Sequence, residues 1–369
     1  MYITVLIEKS DRRHMADIEL QTSRMLLEHF AAYPKMQIED MLKYLHQSSF
    51  GCEHMVTDLS VVTEYIRKEA EGCKAIDGPM VEALDGEYCR VHLSCIKEGL
   101  CPETLGKLFF LSAQHEESGT ECLEQKLSVM ENLIKEGRLP FEAKSQDIVS
   151  SWRDAGYPAR HHSDAFRNTY FPAYRVVKKE FALFLPLFLR IDRMLQRGTL
   201  VLAIEGPCGS GKSTVANVLE QVYGCTVFHM DDFFLRPHQR TAERLSEPGG
   251  NVDRERFLEE VLLPVSRGEK VLYRPFDCSI MDLEEEISVL PGRFVVVEGA
   301  YSMHPDLREY FDLSVFLDIE SELQRERIQK RNTPQMAERF FSTWIPMEQR
   351  YFEELSIKEK CDLVIAINE

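Results

Sequence analysis

The segment "IEGPCGSGKSTVANVLEQVYG" restricts the fold more than any other part of the chain. Gly206 is followed by four residues and then by Gly211, Lys212 and Ser213, with the β-prone run "TLVLAIEG" leading in and a helix-forming stretch leading out. Strand, glycine-rich turn and helix N-terminus together make a Walker A phosphate loop. Glycines let backbone N–H groups turn inward around phosphate oxygens, and the helix N-terminus favours negative charge at the same place. On this reading Gly206, Gly209, Ser210 and Gly211 form the cradle, and Lys212 reaches the β- and γ-phosphates of ATP. The Ser213 hydroxyl ligates Mg²⁺ and Thr214 helps to hold phosphate oxygens. Cys208, inside the loop, is a small filler with no redox role.

A loop of this kind belongs at the end of a parallel strand, and the flanking sequence agrees. From Thr199 the runs "TLVLAIEG", "CTVFHMD", "KVLYRPFD", "RFVVVEG", "LSVFLDI" and "DLVIAI" alternate with helical stretches. The expectation is an α/β P-loop NTPase fold: a mostly parallel sheet covered by helices, with a five-stranded core and room for an extra edge strand. Before Arg197 the apolar residues recur at helical spacing, as in Ile38, Met41, Leu42 and Leu45, or Leu123, Leu127, Met130 and Ile134 with Gly137 as a stop. Residues 1–197 therefore read as a mainly helical domain and 198–369 as the phosphate-loop domain, joined at "QRGT", where Gly198 ends a helix. "FALFLPLFL", Phe181 to Leu189, is too short to span a bilayer and reads as a core helix kinked at Pro186.

Composition narrows the partners. A net charge of −17 over 369 residues repels phosphate backbones and anionic lipid, so neither nucleic acid nor membrane is expected, while a small, locally captured anion remains compatible with it. Ten cysteines without a paired framework, and an N-terminus "MYITVLIEKSDRR" lacking a basic leader region, indicate a cytoplasmic chain with reduced thiols.

Two further strand ends carry acids. "FVVVEG" ends in Glu298, which can hold Mg²⁺ or its water beside the loop. "HMDDFF" offers Asp231 and Asp232 at the carboxyl end of the next strand, where open α/β sheets place their ligands. A carboxylate there can take a proton from an acceptor hydroxyl; paired acids can equally cap a helix or ligate Mg²⁺ together.

The ordered set "GPCGSGKST", "HMDDFF", "GGNVDRERF", "LYRPFDC", "VVVEGAY", "VFLDIESELQRERIQKR" and "CDLVIAI" resembles the uridine kinase and phosphoribulokinase group of P-loop kinases, from about Thr199 to the C-terminus. "DDFF" is also similar to nicotinamide riboside kinases of the same broad group. The resemblance implies Asp231 as general base, Asp232 at a variable position, Asp253 as the carboxylate for ribose hydroxyls, and Glu298 near Mg²⁺ and the acceptor. It also implies that Arg327 and Arg331, i and i+4 on one helix, close over the phosphates; by local pattern alone they are a solvated basic face. Phe234 stands where the family has Tyr, Phe276 replaces another Tyr, and Met281 lies near the position of a His, so the usual pyrimidine readers are absent. The implied activity is transfer of the ATP γ-phosphate to a hydroxyl of a nucleoside-like small molecule, with a sugar or vitamin precursor, or a nucleotide-dependent switch, as alternatives.

The first half resembles no family. "FGCEHM" with Cys52 and His54, "YCRVHLSC" with Cys89, His92 and Cys95, and "ARHHSDAFR" with His161 and His162 lack the spacing of a zinc framework and read as structural. His162, Arg167, Tyr170, Tyr174 and Arg175 could bind an anionic ligand or pack as an interdomain face. Specificity, regulation and homo-oligomer contacts are the roles open to this half.

Overall fold

Residues 19–52, 58–73, 78–113, 119–142 and 145–368 are described by the computed structural model, in which the chain divides into two units. The division falls between Leu189 and Arg190, inside the helix Leu185–Leu195. His54 and the "MYITVLIEKSDRR" segment lie outside the described residues.

In the first unit the helical periodicity is realised. Ile38, Met41, Leu42 and Leu45 are all buried along the helix Ile38–Phe50, and Leu123, Leu127 and Met130 along the helix Thr120–Lys135. Gly137 follows the latter at φ 72°, a left-handed position that glycine occupies without a Cβ penalty. The unit also contains an antiparallel sheet absent from the sequence reading: β1 (Val81–Ala83), β2 (Tyr88–His92) and β3 (Tyr174–Lys178), in the order β1-β2-β3. "YCRVH" is thus a buried strand, and its partner is supplied from far along the chain, which no local pattern reveals. The Phe181–Leu189 run is core as expected, but it is not one kinked helix. Helices Lys179–Ala182 and Leu185–Leu195 are separate, and Pro186 sits in the first turn of the second, where its missing N–H forfeits no intrahelical bond.

The second unit is built on strands β4 (Leu200–Glu205) and β5 (Thr226–His229), then, after two small hairpins, β10 (Phe294–Glu298), β11 (Leu313–Ile319) and β12 (Leu363–Ile367). They form one parallel sheet in the order β12-β11-β4-β10-β5. The hairpins hold β6 (Val271–Tyr273) against β9 (Ile287–Val289) and β7 (Phe276–Asp277) against β8 (Asp282–Leu283), all antiparallel. The "KVLYRPFD" run therefore supplies no edge strand to the main sheet. β10 is buried at all five positions, as expected of a strand covered on both faces. Because β4 is central and registers with β10 (Ile204 with Glu298), and β10 with β5 (Glu298 with His229), the carboxyl ends of three strands open side by side. No described helix is long and apolar enough to cross a membrane.

Candidate active site

The phosphate loop leaves β4 at Glu205 and enters the helix Lys212–Tyr223. Gly206 has φ +143°, and a Cβ there would lie 2.6 Å from the Leu317 carbonyl oxygen, so only glycine fits against β11. Ser210 Oγ is buried without a hydrogen-bond partner, an orphaned donor that a phosphate oxygen would satisfy. Lys212 Nζ donates to the carbonyls of Gly206 (2.8 Å) and Pro207 (3.0 Å), which holds its charge over the loop. Ser213 and Thr214 are exposed at the helix N-terminus, and Ser213 Oγ donates to Glu298 Oε1 at 3.0 Å.

Glu298 is the junction of the site. It is 6% exposed and accepts a second hydrogen bond from His229 Nδ1 at 2.7 Å. Burial alone would raise its pKa, but His229, Lys212 and Ser213 outweigh that and hold the carboxyl below the usual range. The same bond raises the His229 pKa. One hydroxyl and one ionised carboxylate side by side are hard oxygen ligands of the kind Mg²⁺ takes. Asp231 follows β5 and opens to solvent. Although the residue is exposed, the protein atoms around its carboxyl displace part of that group's water and raise its pKa, Lys212 opposes this, and the negative charge of Glu298 adds to it. Its carboxyl thus shares one electrostatic neighbourhood with Lys212, Glu298, His229 and Arg331. Asp232 turns elsewhere: its Oδ2 accepts from Tyr273 OH at 3.2 Å and its carbonyl accepts from Arg256 Nη2 at 2.8 Å.

The remaining candidates disperse. Asp253 is 6% exposed and both its oxygens are engaged, Oδ1 by the Arg256 N–H (3.2 Å) and Oδ2 by Gln239 Nε2 (2.7 Å). It is the N-cap of Arg254–Phe257. Phe234 and Phe276 meet edge to face at 6.4 Å, with the Arg240 guanidinium 5.8 Å from the Phe276 ring. Arg327 and Arg331 lie on the helix Ser321–Arg331; Arg327 Nη1 donates to the Gly209 carbonyl (3.3 Å), and Arg331 stacks 5.5 Å from the Phe340 ring. Among the described residues no three His, Cys, Asp or Glu side chains gather as a metal cage.

Two acids escaped the sequence reading. Glu205 is fully buried and accepts from the N–H groups of Gly206 (2.9 Å) and Met303 (3.1 Å) and from Tyr351 OH (3.1 Å). Burial pushes its pKa up to about 7. Glu348, also buried, accepts from the Cys208 N–H at 2.9 Å, and burial raises its pKa too. Gln324 Nε2 holds the Cys208 carbonyl at 2.8 Å, and burial pushes the Cys208 thiol up to about 12, which keeps it inert at neutral pH. An acid immediately before Gly206 was visible in the sequence, whereas Glu348 lay in a helix with nothing to connect it to the loop. Lys212 lowers the pKa of Glu205, Asp231, Glu298 and Glu348 alike. One lysine facing four acids suits a polyphosphate accompanied by a divalent cation better than a bare one.

Strand order, loop and helix define this unit as a P-loop nucleotide-binding fold of α/β type. No protein-family model matches the sequence, and no curated protein matches it either. Among solved structures, the chain is similar to a possible uridine kinase from Bacillus stearothermophilus at 22% identity, covering 49% of this chain and 99% of that one with a TM-score of 0.37. It is also similar to shikimate kinase from Aquifex aeolicus at 18% identity, over 45% of this chain and 85% of that one with a TM-score of 0.25. A shikimate kinase from Acinetobacter baumannii in complex with shikimate gives 17%, 46%, 85% and 0.26 for the same quantities.

Proposed function

We propose that the chain is a cytoplasmic ATP-dependent phosphotransferase acting on a hydroxyl of a small, nucleoside-like acceptor. The observation that carries this reading is the position of Asp231, solvent-open and within the fields of Lys212, Glu298 and Arg331. Bound ATP with its Mg²⁺ would supply the transferable phosphoryl group and neutralise part of its charge. The glycine loop and Ser210 hold phosphate oxygens, Lys212 exchanges its two loop carbonyls for them, and Ser213 with Glu298 provides the oxygen ligands for the metal. Asp231 orients the acceptor hydroxyl and takes its proton. Arg327 and Arg331 move from Gly209 and Phe340 to the transferring group and balance its charge.

A second reading, phosphorylation of a non-nucleoside sugar or vitamin precursor, is favoured by the acceptor side itself. Asp253 is committed to Gln239 and Arg256, and Phe234 and Phe276 form an apolar wall without hydroxyls. Incubation of the full chain with ATP, Mg²⁺ and a panel of nucleosides, sugars and vitamin precursors, followed by detection of phosphorylated product, separates these readings. A phosphorylated nucleoside supports the first and a phosphorylated non-nucleoside the second. ADP release without phosphorylated product from any acceptor overturns both in favour of a nucleotide-driven switch.

A further inference from the structure

The first unit holds a cavity of about 620 Å³ between the helices 19–32 and Ile38–Phe50, the strands β1 and β2, and the segment around Phe166–Tyr174. Its volume is in the range of small-molecule sites. Its walls are aromatic, with Tyr33, Tyr44, Phe166, Tyr170 and Tyr174 foremost, and three histidines fix which polar atoms are left to a ligand.

Arg90, fully buried, pairs with Glu82 (Nη1 to Oε1, 3.2 Å) and donates twice to Gln47 Oε1 (3.0 and 2.8 Å), its guanidinium lying 4.6 Å from the Tyr174 ring. Burial disfavours charge on Glu82, but Arg90 and His29 hold its pKa down at about 2, so the carboxylate is ionised and balances the arginine. His29 is 5% exposed, stacks on Tyr44 at 4.1 Å, and presents Nδ1 to Glu82 Oε1 at 3.1 Å. An ionised acceptor requires the proton on Nδ1. Burial brings the His29 pKa down to about 4, so Nε2 is an unprotonated acceptor, and it has no protein partner. The second histidine, His162, presents Nδ1 to Asp40 Oδ1 (2.9 Å), a carboxylate that also accepts from the Ser163 N–H and hydroxyl. Its Nε2 lies 2.6 Å from the Tyr174 hydroxyl, whose proton is shared between this nitrogen and Gln47 Oε1 at 3.4 Å. Whichever of the two accepts that proton, the Tyr174 oxygen keeps a lone pair to offer. Conversely, His92 Nδ1 accepts the Ser94 N–H at 3.0 Å, which puts the proton on Nε2 and makes it a donor. Arg167 and Arg175, which could have served an anion, are instead paired with Asp164 and Glu69.

The cavity thus offers aromatic faces, acceptors on His29 and Tyr174, and donors on His92 and on Tyr170, whose oxygen accepts the Lys35 N–H and keeps its own proton to give. Its acids are each paired, Glu82 with Arg90 and Glu28 with Arg24. From this we infer that the first unit binds a neutral, planar heteroaromatic small molecule bearing N–H or amino donors, held between the tyrosines by His29, Tyr174 and His92. This site is independent of the phosphotransferase reading.

The test uses the full chain with its phosphate loop saturated by ADP and Mg²⁺, and adenine as probe, with purine as the analogue lacking the amino group and benzoate and benzylamine as charged controls. Ligand-observed NMR titration is expected to show saturable adenine binding about tenfold tighter than purine, the difference one well-placed hydrogen bond makes. Binding of the two charged controls is expected to be weaker than that of adenine. His29→Phe and Tyr174→Phe keep the rings and remove the acceptors, and each should bring adenine toward the affinity of purine. Should either variant fail to fold, the adenine-to-purine ratio in the unaltered chain decides alone. Equal affinities, tighter binding of benzoate or benzylamine, absence of adenine binding with ADP and Mg²⁺ present, or full adenine affinity in both folded variants overturns the inference.

Discussion

Adjacent in sequence, Asp231 and Asp232 differ in what surrounds them. Asp231 is open and free to meet a substrate, whereas Asp232 is tied through its side chain to Tyr273 and through its carbonyl to Arg256. Asp231→Asn is therefore expected to retain nucleotide binding and lower kcat by about 10²–10⁴-fold, the usual contribution of a positioned base. Asp232→Asn can still accept from Tyr273 and should cost less than about tenfold. Steady-state kinetics on the two variants checks this, and equal losses would refute the division of roles. The pH profile offers a second measure. A base must be ionised to work, and the desolvated Asp231 has a pKa above the ordinary 3.8. The acid limb of kcat/KM, which reports the free enzyme, should accordingly fall at higher pH than an exposed aspartate would give. The sequence marked this pair as unequal through the resemblance alone. It gave no sign that His229 bonds Glu298, because that contact joins the ends of β5 and β10, which are remote in the chain and adjacent only in the sheet.

At the level of elements, what was legible is what obeys local rules. The five parallel strands announced themselves as short apolar runs, and the loop by its glycines, because both are local patterns with fixed periods. The small hairpins were not, since β6 reads like any buried strand and only its pairing with β9 removes it from the main sheet. In the first unit β3 was missed for the same reason. The phosphate loop offers the sharpest test of an element. Gly206→Ala must place a Cβ against the Leu317 carbonyl at a φ that other residues avoid, a strain of about 1–3 kcal/mol before any clash is relieved. The expected outcome is a drop in urea-unfolding stability of at least that size with loss of ATP binding by calorimetry. Gly224→Ala at the far end of the same helix also has positive φ but nothing within 4 Å of its Cβ. It should lose about 1 kcal/mol while retaining ATP.

Across the molecule, the acids of the net −17 chain do not all lie in water, and one of them links the stability of the second unit to pH. Glu205 joins the end of β4 to the phosphate loop, to Met303 and to Tyr351 on the helix Ile345–Glu354. Folding carries its pKa from 4.5 to about 7, so between these values the folded chain binds a proton that the unfolded chain does not. Stability linked to Glu205 is then greatest below about pH 4.5, falls as pH rises toward 7, and is flat above it. A shift of this size corresponds to about 3 kcal/mol across the window. Glu205→Gln cannot titrate; it forfeits one carboxylate oxygen and is expected to be less stable than the unaltered chain at pH 5. Its own loss of stability between pH 5 and pH 7.5, however, should be smaller by up to those ~3 kcal/mol. Urea denaturation of both chains at the two pH values measures the difference, in which titrations common to both cancel. Parallel pH dependence in the two would mean that Glu205 is ionised throughout the range. In that case the hydrogen bonds from Gly206, Met303 and Tyr351, together with the charge of Lys212, would have to offset its burial in full.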